Sequence, residues 1–267
     1  MKIAIIGYGK MGKMVEQTAI SQGHTITAIV DPLVKEAGLS AQGGAQSAAQ
    51  YREISAAGDL GGAEAAIEFT QPATALANIK ALAQRKIPSV IGTTGWYDKM
   101  DEARQAVEPA GASFIWASNF SLGVNIFYRV AWYAAGLADS FPEYDVGGFE
   151  SHHNKKLDSP SGTAKTLVEG VLARIKRKDK AVWETLDRRP EPNELHFPSL
   201  RIGSVPGTHS LVFDSPADSI EITHTARSRE GFASGAIRAA SWLVNGDTGI
   251  RKGFFSIDDM LKDVLGS

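Results

Sequence analysis

The hexapeptide Gly7-Tyr8-Gly9-Lys10-Met11-Gly12 constrains the fold of this chain more than any other feature. It matches G-x-G-x-x-G, directly behind the apolar run Lys2–Ile6 and at the head of an amphipathic stretch, Lys10–Ser21. Strand, glycine turn and helix is the order in which a βαβ unit cradles a dinucleotide. The first glycine permits the tight turn, the second lets the backbone approach a pyrophosphate, and the third lets helix pack on strand. The helix N-terminus adds unpaired N–H groups and the positive end of its dipole. A glycine-rich turn is also common as a plain turn, so the context decides. Asp31 closes the next apolar run, Thr25–Val30, 19 residues after Gly12. That is close to the ~20 expected for the acid that holds the adenosine ribose.

An aspartate there accepts hydrogen bonds from a 2′-hydroxyl and repels a 2′-phosphate. NADH is therefore the expected cofactor, with NADPH left open, since Lys35 follows as the nearest cation. Two more turns follow strand-like runs: Gly92-Thr93-Thr94-Gly95 after Pro88–Ile91, and Ala117-Ser118-Asn119-Phe120-Ser121 after Ser113–Trp116. Ligands of open α/β sheets sit beyond the carboxyl ends of strands, where these turns fall and where a nicotinamide would be positioned. Either turn alone also reads as an ordinary connection.

The first third of the chain alternates apolar runs with helical patterns, the rhythm of a parallel α/β sheet. Strands are expected at Lys2–Ile6, Thr25–Val30, Ala65–Phe69, Ser89–Ile91 and Ser113–Trp116, and helices at Lys10–Ser21, Ala73–Arg85 and Tyr97–Val107. Residues 35–62 carry no clear pattern. After about Leu122 the pattern changes: helix over Val124–Leu137, strand over Tyr144–Glu150, helix over Ser161–Ile175. Strand candidates then crowd together at Val182–Leu186, Ser199–Val205, Ser210–Phe213 and Ser219–Ala226, suggesting an antiparallel or mixed sheet. Helices over Ala233–Val244 and Ile257–Leu265 end the chain. The expected organisation is a nucleotide domain interrupted by a second, inserted domain. No apolar run approaches the ~18 residues that span a bilayer, and the N-terminus lacks a signal-peptide pattern, so the expectation is cytoplasmic. A net charge of -2 gives no global field for nucleic acid or an anionic membrane.

Glu150-Ser151-His152-His153-Asn154-Lys155-Lys156-Leu157-Asp158-Ser159-Pro160-Ser161-Gly162-Thr163-Ala164 concentrates the chemistry. Histidine exchanges protons near neutral pH, and Lys156 offers a cation and a proton. Ser161-Gly162-Thr163 opens a helix, whose free N–H groups and threonine hydroxyl suit a carboxylate. A proton relay beside an anion cradle is what reduction of an unsaturated carboxylate requires. Singly, the lysines also read as a solvated patch and Ser161 as a plain cap. No metal is expected: adjacent histidines lack the i, i+4 geometry of common zinc motifs, and the chain has no cysteine. His24, His196, His209 and His224 read as structural or exposed, with His209 and His224 as lesser candidates to line a pocket.

These segments resemble the 4-hydroxy-tetrahydrodipicolinate (dihydrodipicolinate) reductase family. The resemblance rests on Gly7–Gly12, Glu68-Phe69-Thr70-Gln71-Pro72, Val90–Gly95, Asn119-Phe120-Ser121 and the stretch from His152 to Ala164. Ser204–His209, Ile222–Arg229 and Phe232–Ala236 extend it over nearly the whole chain. It implies a Rossmann-type dinucleotide domain (1–122 plus 230–267) with an inserted α+β substrate and tetramerisation domain (123–229). It further implies a homotetramer that uses NADH or NADPH to reduce the small cyclic dicarboxylate 4-hydroxy-tetrahydrodipicolinate, with loss of water, on the diaminopimelate route to lysine. His152 would exchange the proton and Lys156 donate it. His153, Gly162 and Thr163 would bind the carboxylates. Gly7, Tyr8, Gly9, Lys10, Met11, Gly12, Asp31, Gly92, Thr93, Thr94, Ala117, Ser118, Asn119 and Phe120 would hold the cofactor. The first glycine loop is one residue shorter than the G-x-x-G-x-x-G of many members, and residues 176–200 look idiosyncratic. Other two-domain nicotinamide dehydrogenases, or a non-catalytic dinucleotide sensor, would have no need of the histidine–lysine cluster.

Overall fold

The computed structural model describes residues 1–34, 48–247 and 249–265. The chain divides into two compact units, Met1–Ser121 with Glu230–Ser267, and Leu122–Arg229. The first unit opens with β1 (Lys2–Ile6), α1 (Lys10–Ser21), β2 (Thr25–Val30), β3 (Ala49–Tyr51), β4 (Ala65–Glu68), α2 (Pro72–Gln84), β5 (Ser89–Ile91), α3 (Met100–Val107) and β6 (Ser113–Trp116). The second carries α4 (Leu122–Ala138), β7 (Asp145–His152), α5 (Gly162–Leu172), β8 (Lys180–Val182), β9 (Glu194–His196), β10 (Ser199–Arg201), β11 (Thr208–Asp214) and β12 (Ser219–Thr225). The chain then rejoins the first unit through α6 (Glu230–Val244), β13 (Gly253–Ser256) and α7 (Ile257–Leu265).

In the first unit seven strands run β13-β6-β5-β4-β1-β2-β3, every neighbouring pair parallel. Strands covered on both faces must be apolar throughout, and Ile3, Ile5, Ile29 and Ile67 are buried accordingly. Each such side chain contributes about 1.5–3 kcal/mol. Helix α2 starts on Pro72, whose missing N–H and preset φ suit a first turn. The strand order reverses between β1 and β4, so the crevice beyond their carboxyl ends lies beside Gly7 and Phe69-Thr70.

In the second unit β10-β7-β11-β12 form a mixed sheet: β10 is parallel to β7, and β11 is antiparallel to both β7 and β12. One face packs Val146, Leu211 and Phe213 against Val124, Phe127, Leu167 and Val171 of α4 and α5. On the other face Phe149 and Leu200 stand 37% and 48% exposed. Strands β8 and β9 form a separate parallel pair.

Several elements depart from expectation. Strand β7 runs on to His152, so the catalytic candidate sits within the strand rather than in the loop behind it. The expected strand Ser199–Val205 ends at Arg201, shortly before the chain turns through Gly203 at φ +48°. The expected strand Val182–Leu186 lies instead over Lys180–Val182. Tyr97–Lys99 is a 3-10 turn that leads into α3. Strands β3, β9 and β13 have no counterpart among the expected ones. Among the described residues no helix is long and apolar enough to cross a membrane.

Candidate active site

Gly7 follows β1 at φ +91°, and a Cβ there would stand 2.1 Å from the carbonyl oxygen of Phe69. A Cβ on Gly12 would stand 2.1 Å from the Gly7 carbonyl oxygen. Both glycines are therefore required for the turn to close. Gly9 differs: it caps α1, and no atom of the described residues lies within 4 Å of its absent Cβ. Helix α1 has no side-chain cap and no acidic residue in its first turn, where Lys10 and Met11 sit. Its orphan N–H groups are thus available to an anion, as a dinucleotide pyrophosphate requires. Asp31 is held by two backbone donors, Tyr8 N–H to Oδ2 at 2.7 Å and Leu33 N–H to Oδ1 at 2.8 Å. A carboxylate has about four acceptor positions, so capacity for ribose hydroxyls remains. The Tyr8 hydroxyl donates to Glu16. Lys35 lies outside the described residues.

The loops after β4, β5 and β6 assemble at the same end of the sheet. Gly92 N–H donates to the Glu68 carbonyl at 2.8 Å, and a Cβ on Gly92 would strike the Phe69 ring. Thr70 N–H donates to Thr93 Oγ1 at 2.6 Å, and Trp96 Nε1 to the Thr93 carbonyl at 2.7 Å. Thr94 and Ser118 are exposed, while Ala117, Asn119 and Phe120 are buried. Asn119 Oδ1 accepts from Ser121 N–H at 2.8 Å. The Phe120 carbonyl lies against Gly235 of α6, where a Cβ would come within 1.8 Å. Beneath these loops is a residue to which the sequence reading gave no role. The Glu68 carboxyl is fully buried and accepts from the Thr70 hydroxyl and from Asn78. Burial pushes this carboxyl up, and its hydrogen bonds offset only part of the effect.

In the second unit the strand ladders draw together groups that lie far apart in sequence. Glu150 and His152 share the buried face of β7, two residues apart. His209 of β11 is directly opposite Glu150, and Ser199 and Arg201 of β10 are opposite Glu150 and His152. Glu150 is 0% exposed; His152 and His209 are 8% and 4% exposed. Glu150 Oε1 accepts from Ser161 N–H at 3.0 Å and from the Ser199 hydroxyl at 2.7 Å, with the Arg201 guanidinium at 3.6 Å. Oε2 lies 3.4 Å from His152 Nδ1 and 3.3 Å from His209 Nε2, in both cases without hydrogen-bond alignment. Burial pushes the Glu150 carboxyl up, but the surrounding His209, Ser161 and Ser199 overcome it and hold the group well below the usual range. Burial brings His152 down to about 4; Glu150 opposes this, while His209, Lys156 and Arg201 add to it. His152 is therefore neutral at pH 7.

Ser161 caps α5, its hydroxyl accepting from Ala164 N–H at 3.1 Å, while Gly162 and Thr163 form the first turn. No acidic residue occupies that turn. Lys156 extends from the loop behind β7 and pairs with Asp158, Nζ to Oδ1 at 2.8 Å. Arg201 donates to the carbonyls of Lys156 and Asp158, fastening that loop to the strand that faces Glu150. His153 is half-buried, with no partner for its Nδ1. The structure thus gathers His152, Glu150, His209 and the Ser161 cap into one knot, with Lys156 tied to it through Arg201. Glu150 and Arg201 went unassigned, and His209 was only a lesser candidate, because strand register places them. Of the three, only Arg201 carries a local signal, lying between Leu200 and Ile202.

Residues 1–120 match the family model described as dihydrodipicolinate reductase, N-terminus, and residues 123–261 the one described as dihydrodipicolinate reductase, C-terminus. The chain is 38% identical over 265 residues to the 4-hydroxy-tetrahydrodipicolinate reductase of Christiangramia forsetii, covering 99% of both proteins. It is 35% identical to the enzyme of the same name from Archaeoglobus fulgidus, over 98% of this chain and 100% of that one. A solved dipicolinate-bound dihydrodipicolinate reductase from Paenisporosarcina sp. TG-14 shares the fold, with a TM-score of 0.74 at 20% identity over 96% of this chain and 97% of the other.

Proposed function

The chain belongs to the dihydrodipicolinate reductase family and reduces 4-hydroxy-tetrahydrodipicolinate with a nicotinamide cofactor in lysine biosynthesis, and we propose how its residues divide that work. The observation that carries the proposal is the Ser161 junction. Its N–H holds the carboxylate beside His152, and the helix that it caps opens on Gly162 and Thr163. Acid–base groups and an anion cradle are thus fixed to one another. Loss of the 4-hydroxyl as water leaves a conjugated imine. When bound, the reduced nicotinamide supplies hydride to it. The resulting enamine-like anion needs a proton, which Lys156 donates while neutral His152 accepts and returns protons. His153 and the Gly162-Thr163 turn grip the carboxylates.

Gly7, Tyr8, Gly9, Lys10, Met11 and Gly12 would hold the cofactor's pyrophosphate end, and Asp31 its ribose. Gly92, Thr93, Thr94 and the Ala117-Ser118-Asn119-Phe120 loop would hold its nicotinamide end. Because two backbone donors fix the Asp31 carboxylate, a free ribose hydroxyl suits it better than a phosphate, and NADH should serve at least as well as NADPH. Steady-state kinetics with both cofactors test this. Asp31→Ala should raise the KM for NADH more than that for NADPH, and a strong NADPH preference in the unaltered enzyme would refute the reading of Asp31.

The same reading makes the enzyme a cytoplasmic homotetramer. Support for the tetramer is the outer face of the β10-β7-β11-β12 sheet, where Phe149 and Leu200 would be covered by other copies. Light scattering at micromolar concentration should return about four times the 28.5 kDa of one chain; a value near one chain mass would contradict it.

A further inference from the structure

Glu150 and His209 are not named in any role by the reading above, yet they occupy the centre of the knot. Two imidazoles from different strands converge on one carboxylate oxygen, with Oε2 3.4 Å from His152 Nδ1 and 3.3 Å from His209 Nε2. The other oxygen is immobilised by the Ser161 N–H and the Ser199 hydroxyl. The two histidine rings meet edge to face with centroids 5.1 Å apart. A buried ionised carboxylate is costly unless paired, so this arrangement needs compensating donors. Nδ1 is the His152 ring nitrogen that lies beside the anion, 3.4 Å from Oε2, and a hydrogen held there would leave Nε2 as the nitrogen that exchanges protons. Gly207 lies beside that Nε2 at φ +151°, and a Cβ on Gly207 would stand 3.0 Å from it. A glycine keeps that side of the ring open.

We propose that Glu150 and His209 are positioning residues for the reduction: Glu150 fixes the ring orientation and tautomer of His152 so that Nε2 is the exchanging atom, and His209 holds Glu150 in place from the opposite strand. This rests on the assignment of His152 above. The three groups also lie close enough to hold a metal ion, their ligand atoms all within 4.8 Å of one another. The Arg201 guanidinium at 3.6 Å already supplies positive charge to the carboxylate, which favours the proton-handling role.

The charged and titratable groups facing His152 are Glu150 on its own strand, His209 on β11, Arg201 on β10 and Lys156 on the following loop. His224 lies beyond, opposite His209 in the ladder. Their signs make the test specific. Glu150 raises the pKa of His152 and His209 lowers it. Glu150→Gln should therefore move the acid limb of the kcat profile to lower pH, and His209→Gln should move it to higher pH. Glu150→Gln should also lower kcat at least ~10-fold, short of the ~10²–10⁴ for losing the acid or base itself. KM for the dicarboxylate should stay within about threefold, and Glu150→Asp should restore part of kcat, as expected for an orienting carboxylate. Cofactor titration and thermal melting of each variant report folding; His209→Gln removes neither donor of the Ser161 and Ser199 bonds to Glu150, but it does remove the 3.3 Å contact of His209 Nε2 with the Ser161 hydroxyl. If His152→Gln loses turnover while Glu150→Gln and His209→Gln leave the acid limb unmoved, the positioning role is wrong and the assignment of His152 stands. If His152→Gln turns over normally, that assignment falls first.

Discussion

Replacing Lys156 by Met is expected to lower kcat by roughly 10²–10⁴, the range for losing a positioned acid or base. The substitution keeps most of the stem and removes the ammonium. The enamine-like anion formed by hydride transfer must be neutralised by a nearby proton donor. His152, brought down to about 4, carries no transferable excess proton at neutral pH. Lys156 is a cation with three donors, held near the knot by its pairing with Asp158 and by Arg201 on the loop carbonyls. His152→Gln should cost a similar factor, because it removes the site that exchanges protons. The double variant should lose far less than the product of the single losses, since groups that act as a unit are not additive. Thr163→Val should act mainly on KM, because its contact with a carboxylate is present in ground and transition states alike. Near-normal turnover of the Lys156 variant would break this mechanism.

Gly7→Ala and Gly9→Ala should fail in different ways. At Gly7 the backbone lies at φ +91° and the new methyl group meets the Phe69 carbonyl at 2.1 Å, so the loop must open. Strain of order 1–3 kcal/mol from the backbone, added to overpacking of about 1–3 kcal/mol, removes much of a typical domain's stability. Denaturant titration should show this loss in the absence of any ligand. At Gly9, φ is -75° and no atom of the described residues lies within 4 Å of the new Cβ. Stability should stay within about 0.5 kcal/mol, the usual span for surface changes. The methyl group would instead occupy the approach to the N-terminus of α1. Fluorescence titration should then show NADH affinity falling at least ~10-fold, about 1.4 kcal/mol. Unchanged affinity in Gly9→Ala would mean that the pyrophosphate does not sit there.

The dinucleotide half was legible because its signals are local. Strands β1, β2, β5 and β6 are short and mostly apolar, with most of their residues buried, and glycine turns follow β1 and β5. Strand β9 escaped because Glu194 occupies one of its buried positions, stabilised by Arg188 and Lys180 from outside the strand. A charge at an inward position defeats any hydrophobic pattern. Strand β13 escaped because it is four residues long and begins on Gly253 at φ +143°. The same division holds for the site. His152, Lys156 and the Ser161-Gly162-Thr163 cap lie within one stretch and could be read together. Glu150 was visible in that stretch without a role, because its partners Ser199, Arg201 and His209 come from two other strands. Only the register of β10 and β11 on β7 aligns them, and no local pattern specifies register between strands so far apart in sequence.

The most direct test of the account is nicotinamide oxidation, followed by absorbance, with and without the cyclic dicarboxylate, in the unaltered enzyme and in Lys156→Met. The account predicts oxidation only when the dicarboxylate is present, and a loss of roughly 10²–10⁴ in kcat in the variant while NADH affinity is retained. Oxidation that proceeds without the dicarboxylate, or a variant that turns over at the rate of the unaltered enzyme, would contradict it.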